Sequence, residues 1–278
     1  MHQSYWGLLR DPFSTQPAWD DHYASEAGEE ALLRLRYVVE QARGAGLLVG
    51  ETGVGKSHLL QVLAQQLDPR RHPVIALRFP QLNAAETLQY LASELSGDSE
   101  RPVTRTTGLD GAVRAIERSL DLLAGEGISP VIAVEDSHLI EDPGDFQVLR
   151  LVLDLQPLGG TPPTLLLVGE PAVRNQVGRI APLADRIAVH CELSPFEPHE
   201  TDRYVQHRLA AAGAGEEIFT PAALSAVHRH SGGAARRINR LCDLGLLLGF
   251  AAEADMVDVR QIESAAEECA VTYRRRAA

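Results

Sequence analysis

The stretch that decides the fold runs Leu47-Leu48-Val49-Gly50-Glu51-Thr52-Gly53-Val54-Gly55-Lys56-Ser57. It is an apolar strand that breaks into glycines and then enters an amphipathic helix predicted over 57–67. Residues 50–57 match G-x-x-x-x-G-K-[ST] in full, a string expected by chance in such a chain on the order of once in a thousand. Glycines let backbone N–H groups turn inward as an anion nest at a helix N-terminus. In this pattern Lys56 neutralises β- and γ-phosphate oxygens and the Ser57 hydroxyl ligates Mg²⁺. Gly50, Glu51, Thr52, Gly53, Val54, Gly55, Lys56, Ser57 and His58 are therefore the candidate contacts of ATP or ADP, with Mg²⁺ as the accompanying ion.

Lys56 is also the one lysine among 26 basic residues, the other 25 being arginine. Arginine forms no Schiff base and transfers no proton near neutral pH. Chemistries that need a second lysine are thereby excluded, including pyridoxal phosphate attachment, the strand lysine of protein kinases and guanine selection by an N-K-x-D loop.

Outward from this loop, strands are predicted at 46–49, 74–79, 131–134, 164–168 and 187–193. Helical patterns lie between them at 84–95, 111–123 and 146–155, and one precedes them at 27–41. Apolar strands alternating with amphipathic helices specify an α/β fold, a parallel sheet covered on both faces. Past Pro198 the strands stop, and helices are predicted at 200–211, 221–230, 234–249 and 257–272. The expected division is a P-loop domain over 1–196 and a small all-helical lid over 197–278. Gly97 to Gly108 reads as the most mobile loop.

The 278 residues carry a net charge of −12, with 26 of the 38 acidic residues before position 196. A field of that sign repels nucleic acid and anionic membrane. Cys191, Cys242 and Cys269 are far apart and odd in number, as expected of buried thiols in a reducing compartment. The longest apolar run, Leu244 to Ala252, is about half a membrane span. A cytoplasmic location without an intrinsic membrane span is the expectation.

A second motif closes the third strand: Val131-Ile132-Ala133-Val134-Glu135-Asp136-Ser137-His138. ATP hydrolysis needs one carboxylate in the Mg²⁺ shell and another to position the attacking water. In the preferred register Glu135 serves the metal and Asp136 the water. The alternative gives Asp136 to the metal, leaves Ser137 where the base is needed and buries Glu135 in the strand. Most related ATPases write Asp then Glu here. Exchanged letters shorten the base by more than an ångström, and a displacement of about 1 Å can cost ~10²-fold in rate. His138 reads as a packing or hydrogen-bonding residue rather than a ligand.

With these motifs in this order, the sequence resembles the AAA+ ATPases of the general secretion pathway protein A (ExeA-like) type, whose relatives include TniB/TnsC transposition helpers and the origin-recognition group. The resemblance spans Tyr5 to Cys269. It is carried by Tyr5-Trp6-Gly7-Leu8, Pro12-Phe13-Ser14, Tyr23-Ala24-Ser25, the two motifs above, Leu166-Leu167-Val168-Gly169-Glu170-Pro171, Asp185-Arg186-Ile187, Leu193-Ser194-Pro195-Phe196 and Tyr204 to Leu209. Its most specific string is Gly232-Gly233-Ala234-Ala235-Arg236-Arg237-Ile238-Asn239-Arg240-Leu241-Cys242. The resemblance implies that Arg236 is a lid sensor reaching the γ-phosphate and that Arg186 is an arginine finger completing a neighbouring subunit's site. The other readings are a helix-surface arginine and a salt bridge to Asp185. Phe13 and Tyr23 would line an adenine pocket or serve as core.

Glu170 stands at a sensor position that the family fills with an uncharged polar residue. A carboxylate there repels the γ-phosphate, which with the exchanged pair argues for slow hydrolysis. The implied partners are further copies in a ring or filament and a secretion, pilus or transposition assembly. Three readings follow. One is an oligomeric ATPase driving an assembly step, another an ATP-gated switch or scaffold with negligible turnover, and the third a transposition helper on DNA. The terminal Arg274-Arg275-Arg276 is a solvated tail or a contact for a partner or nucleic acid.

Overall fold

The computed structural model describes residues 2–14, 22–97, 108–155, 157 and 160–276. The predicted mobile loop falls on 98–107, and the side chains of Arg274, Arg275 and Arg276 likewise lie outside the described residues. In chain order the helices of the first two-thirds are α1 (His2–Tyr5), α2 (Glu26–Glu40), α3 (Lys56–Gln66), α4 (Ala84–Leu95), α5 (Leu109–Gly125), α6 (Pro143–Asp154), α7 (Ala172–Gly178) and α8 (Ala181–Ala184). Then come α9 (Pro198–Ala211), α10 (Pro221–Ser231), α11 (Ala235–Ala251) and α12 (Val259–Arg276). The strands are β1 (Ala45–Gly50), β2 (Val74–Leu77), β3 (Val131–Val134), β4 (Thr164–Gly169) and β5 (Ile187–Leu193).

Residues 27–50 and 56–193 form one contact unit. Its five strands make a parallel sheet in the order β2-β3-β4-β1-β5. Strands β1, β3 and β4 are buried at every position, which is why their sequences run apolar without alternation. Edge strand β5 instead alternates, exposing His190 and Glu192 while burying Cys191 and Leu193. On one face Leu47, Val49, Ile132, Val134, Leu165 and Leu167 pack with Leu91, Ile116, Phe146 and Leu149 of α4, α5 and α6. On the other, Gly46 leaves room for Leu35 of α2, whose Cδ2 lies 3.1 Å from where a Cβ would stand. Helices α7 and α8 were not legible as periodic patterns because seven and four residues are too few to show a period. Helix α6 starts three residues before its apolar pattern, with Pro143 in the first turn and Asp142 accepting from the Gly144 N–H.

The second unit gathers residues 1–26, 51–55 and 194–278. The first 26 residues therefore group by contacts with the helices. Trp6 supplies the physical reason. Its ring is 8% exposed within the cluster of Phe13, Val205, Ile238, Cys242, Leu246 and Val257, and its indole N–H donates to the Leu246 carbonyl at 3.0 Å. Gly249 makes room for that ring, since a Cβ there would stand 2.8 Å from Trp6 Cζ2.

Between α10 and α11 the chain turns through Gly232 and Gly233, at φ +58° and +75°. A Cβ on Gly233 would meet the Phe196 carbonyl oxygen at 2.1 Å, while the Phe196 N–H donates to Gly233 O at 2.9 Å. Gly233→Ala is expected to destabilise this unit by about 2–3 kcal/mol, because both the left-handed backbone and the contact must yield. A thermal melt against wild type reads the loss; an unchanged midpoint would contradict this account of the turn.

Cys191 and Cys242 are buried free thiols, the first pushed up to about 11 by burial and the second raised well above its ordinary range by burial and then Asp243. Among the described residues no helix is long and apolar enough to cross a membrane.

Candidate nucleotide-binding site

Strand β1 stays buried up to Gly50, and α3 begins at Lys56. The five residues between make the turn, with Gly53 at φ +85° and Gly55 at φ +111°, conformations that side chains disfavour. Gly53 carries a second constraint. The Arg236 N–H donates to its carbonyl at 2.9 Å, and a Cβ on it would come 3.0 Å from Arg236 Cβ. Lys56 is only 9% exposed, and its ammonium donates to the Gly50 carbonyl at 2.8 Å, folding the side chain back over the start of the loop. Val54 is buried, His58 half-buried, and Glu51, Thr52 and Ser57 exposed. Glycine-turned backbone, an amine, a hydroxyl and the start of an 11-residue helix form a donor set that fits a polyphosphate with its divalent cation.

Two further strands bring acidic groups to the same edge of the sheet. Val134 of β3 pairs with Leu167 of β4, which pairs with Leu47 of β1, so the C-terminal ends of three adjacent strands lie side by side. In parallel α/β sheets this edge is where ligands bind. The Glu135 N–H extends the ladder by one bond to Leu77 O at 3.0 Å, and the side chain leaves the strand at 16% exposure with Arg78 Nε 3.6 Å away. Asp136 is exposed and left-handed, at φ 49° and ψ 34°, a conformation in which a short polar side chain is tolerated and a longer one is strained. Ser137 is fully buried and its hydroxyl donates to Val168 O at 3.0 Å. The second register would ask this serine to act as base while its proton is held by that carbonyl. The backbone thus supports the first register and supplies a local reason for aspartate at 136.

Glu170 follows β4 directly, and its backbone N–H donates to His138 Nδ1 at 3.4 Å while its carboxylate stands 3.7 Å from Nε2 of the same ring. His138 is therefore a hydrogen-bonding residue joining the β3 and β4 ends. A carboxylate aimed at an imidazole is a milder neighbour for a phosphate than the sequence implied. Gln176 adds bonds to the carbonyls of His138 and Ile140 at 3.1 and 3.0 Å.

Arg186 lies elsewhere. Its carbonyl accepts from the Ala45 N–H at 2.9 Å, at the start of β1, and Gly50 is five residues further, about 17 Å along the strand. An arginine cannot span that distance, so Arg186 does not serve its own chain's phosphate loop. It pairs with Asp154 instead of Asp185. Arg236 is exposed, its backbone held at Gly53. Phe13, read from sequence as lining an adenine pocket or as core, is 4% exposed in the core of the helical unit, edge-to-face with Phe219 at 6.3 Å. Tyr23 is half-buried against Phe196, Tyr204 and His207. Sequence reasoning missed Arg78 and Asp154, which became visible only with the strand order and the α6 end in place.

A parallel sheet of this order with a phosphate loop after β1 and an acidic pair after β3 defines an AAA+ P-loop nucleotide-binding protein. Residues 39–177 match the AAA domain model, and the chain belongs to that family. It is 33% identical over 272 residues to General secretion pathway protein A of Aeromonas hydrophila, a match covering 96% of this chain and 48% of that protein. The chain thus spans about half the length of this curated relative. Among solved structures, Cdc6p of Pyrobaculum aerophilum matches with TM-score 0.73 at 14% identity, over 94% of this chain and 71% of that one. The Aeropyrum pernix ORC2 protein, solved in ADPNP-ADP complexes, matches with TM-score 0.70 at 16% identity, over 93% and 71%. The ORC1 protein of the same organism, in complex with DNA, matches with TM-score 0.72 at 15% identity, over 94% and 70%. At such identities these neighbours establish the fold alone.

Proposed function

We propose that this chain is an ATP-binding, slowly hydrolysing AAA+ ATPase that works as an oligomer in the cytoplasm and drives an assembly step of a secretion or pilus-type complex. The observation that carries the reading is that Lys56, at the start of the helix after β1, and Glu135 and Asp136, directly after β3, stand at the same edge of the sheet, with β4 between the two strands. Lys56 and the loop N–H groups hold the β- and γ-phosphates. Ser57 and Glu135 are the residues that would hold a Mg²⁺, which would supply charge neutralisation to the phosphates. Asp136 orients the attacking water and takes its proton as the water oxygen bonds to the γ-phosphorus and ADP leaves. Arg236 and Arg186 of a second copy meet the charge that develops on the transferred group. Tyr23 borders the base, and Glu170 keeps negative charge near the end of β4.

The secretion role is supported by the 33% identity to General secretion pathway protein A. A net charge of −12 disfavours DNA as the partner, although the ORC1 neighbour was solved with it. Slow turnover follows from the short base at 136. The double replacement Glu135→Asp with Asp136→Glu is expected to raise the single-turnover rate about tenfold, at roughly 1 kcal/mol of stability for glutamate in a left-handed position. An unchanged or lower rate in a folded double variant would contradict the explanation of slow turnover by the shortened base.

A further inference from the structure

Arg186 is pinned at its backbone, donating its N–H to Leu183 O at 3.0 Å and accepting from Ala45 at 2.9 Å, so its side chain alone chooses a direction. That choice is governed from α6. Asp154, the last residue of α6, accepts from Arg186 Nη2 on Oδ1 and from Arg150 Nη1 on Oδ2, each at 2.5 Å. Arg150 is itself held, its Nε donating to Gln147 Oε1 at 3.1 Å. Gln147, Arg150 and Asp154 are spaced three and four apart, one stripe along a helix whose other side is anchored by Phe146, Leu149, Val152 and Leu153.

We infer that Asp154 is the positioning residue for Arg186, fixing its guanidinium in the direction from which it serves the nucleotide site of a second copy. This rests on the proposed role of Arg186 in trans. Three features support positioning over sequestration. Arg186 remains 46% exposed beside an Asp154 that is 27% exposed, and partly exposed pairs are weak beside a guanidinium–phosphate contact. The recorded hydrogen bond uses Nη2, and Nη1 and Nε offer further donors for phosphate oxygens. Arg150 and Arg186 also share the one Asp154 carboxylate, so that carboxylate does not neutralise both guanidinium groups.

Mixed oligomers of the full chain test this. Asp136→Asn supplies a donor whose own site is silent, and Arg186→Ala an acceptor with an intact site. Each alone is expected to be inactive, and an equal mixture to recover about a quarter of the wild-type rate, the random fraction of competent pairings. Adding Asp154→Asn to the donor is expected to lower that recovery about tenfold. Adding it to the acceptor should change nothing, and Asp154→Glu in the donor should restore part of the loss. No recovery in the first mixture overturns the trans role of Arg186, and this inference with it. Recovery that ignores Asp154→Asn in the donor, or that falls equally with the change in either copy, overturns the inference alone.

Discussion

Lys56→Ala is expected to weaken ATP binding about 10³-fold, some 4 kcal/mol. An amine 9% exposed is held by the Gly50 carbonyl and is poised where two left-handed glycines turn the backbone. No other lysine exists to substitute, and the arginines are too long and planar to fold back over their own loop. Lys56→Arg is therefore expected to recover little of the loss despite its charge. Titration with a fluorescent ATP analogue, with circular dichroism to establish folding, measures both variants. Wild-type affinity in Lys56→Ala would remove the loop from the site.

Asp136→Asn is expected to lower hydrolysis about 10³-fold while leaving ATP affinity within about twofold of wild type. Asparagine is nearly isosteric and tolerates the left-handed conformation at φ 49°, so the change removes the base without disturbing the turn. Glu135→Gln acts differently. In its proposed role Glu135 would hold Mg²⁺, so the loss should be relieved in part by raising Mg²⁺. A single-turnover assay across Mg²⁺ concentrations separates the two, and an Asp136→Asn rate equal to wild type would reassign the base.

Strands β1, β3 and β4 were readable because each apolar run is buried at every position and bounded by glycine, proline or charge. Order was another matter. Nothing local in Val74–Leu77 announces β3 as its neighbour, and Arg78 beside Glu135 followed only from that pairing. The N-terminal segment escaped because a four-residue helix has no period, and its membership is decided by where Trp6 finds cover. Motif spacing located the loop and the acidic pair. It could not show that Asp136 is left-handed, that Glu170 faces His138, or that Arg186 sits about a strand-length from the phosphate loop. Those depend on backbone angles and on contacts between residues tens of positions apart.

The central claim joins secure nucleotide binding to slow turnover at one loop. The most direct measurement is single-turnover hydrolysis of ATP prebound to the wild-type chain with Mg²⁺, alongside its equilibrium affinity. The account predicts micromolar binding and a rate constant below about 0.01 s⁻¹, abolished in Asp136→Asn. A rate of about 1 s⁻¹ or more, within the ordinary enzyme range, or no measurable binding of ATP, would contradict it.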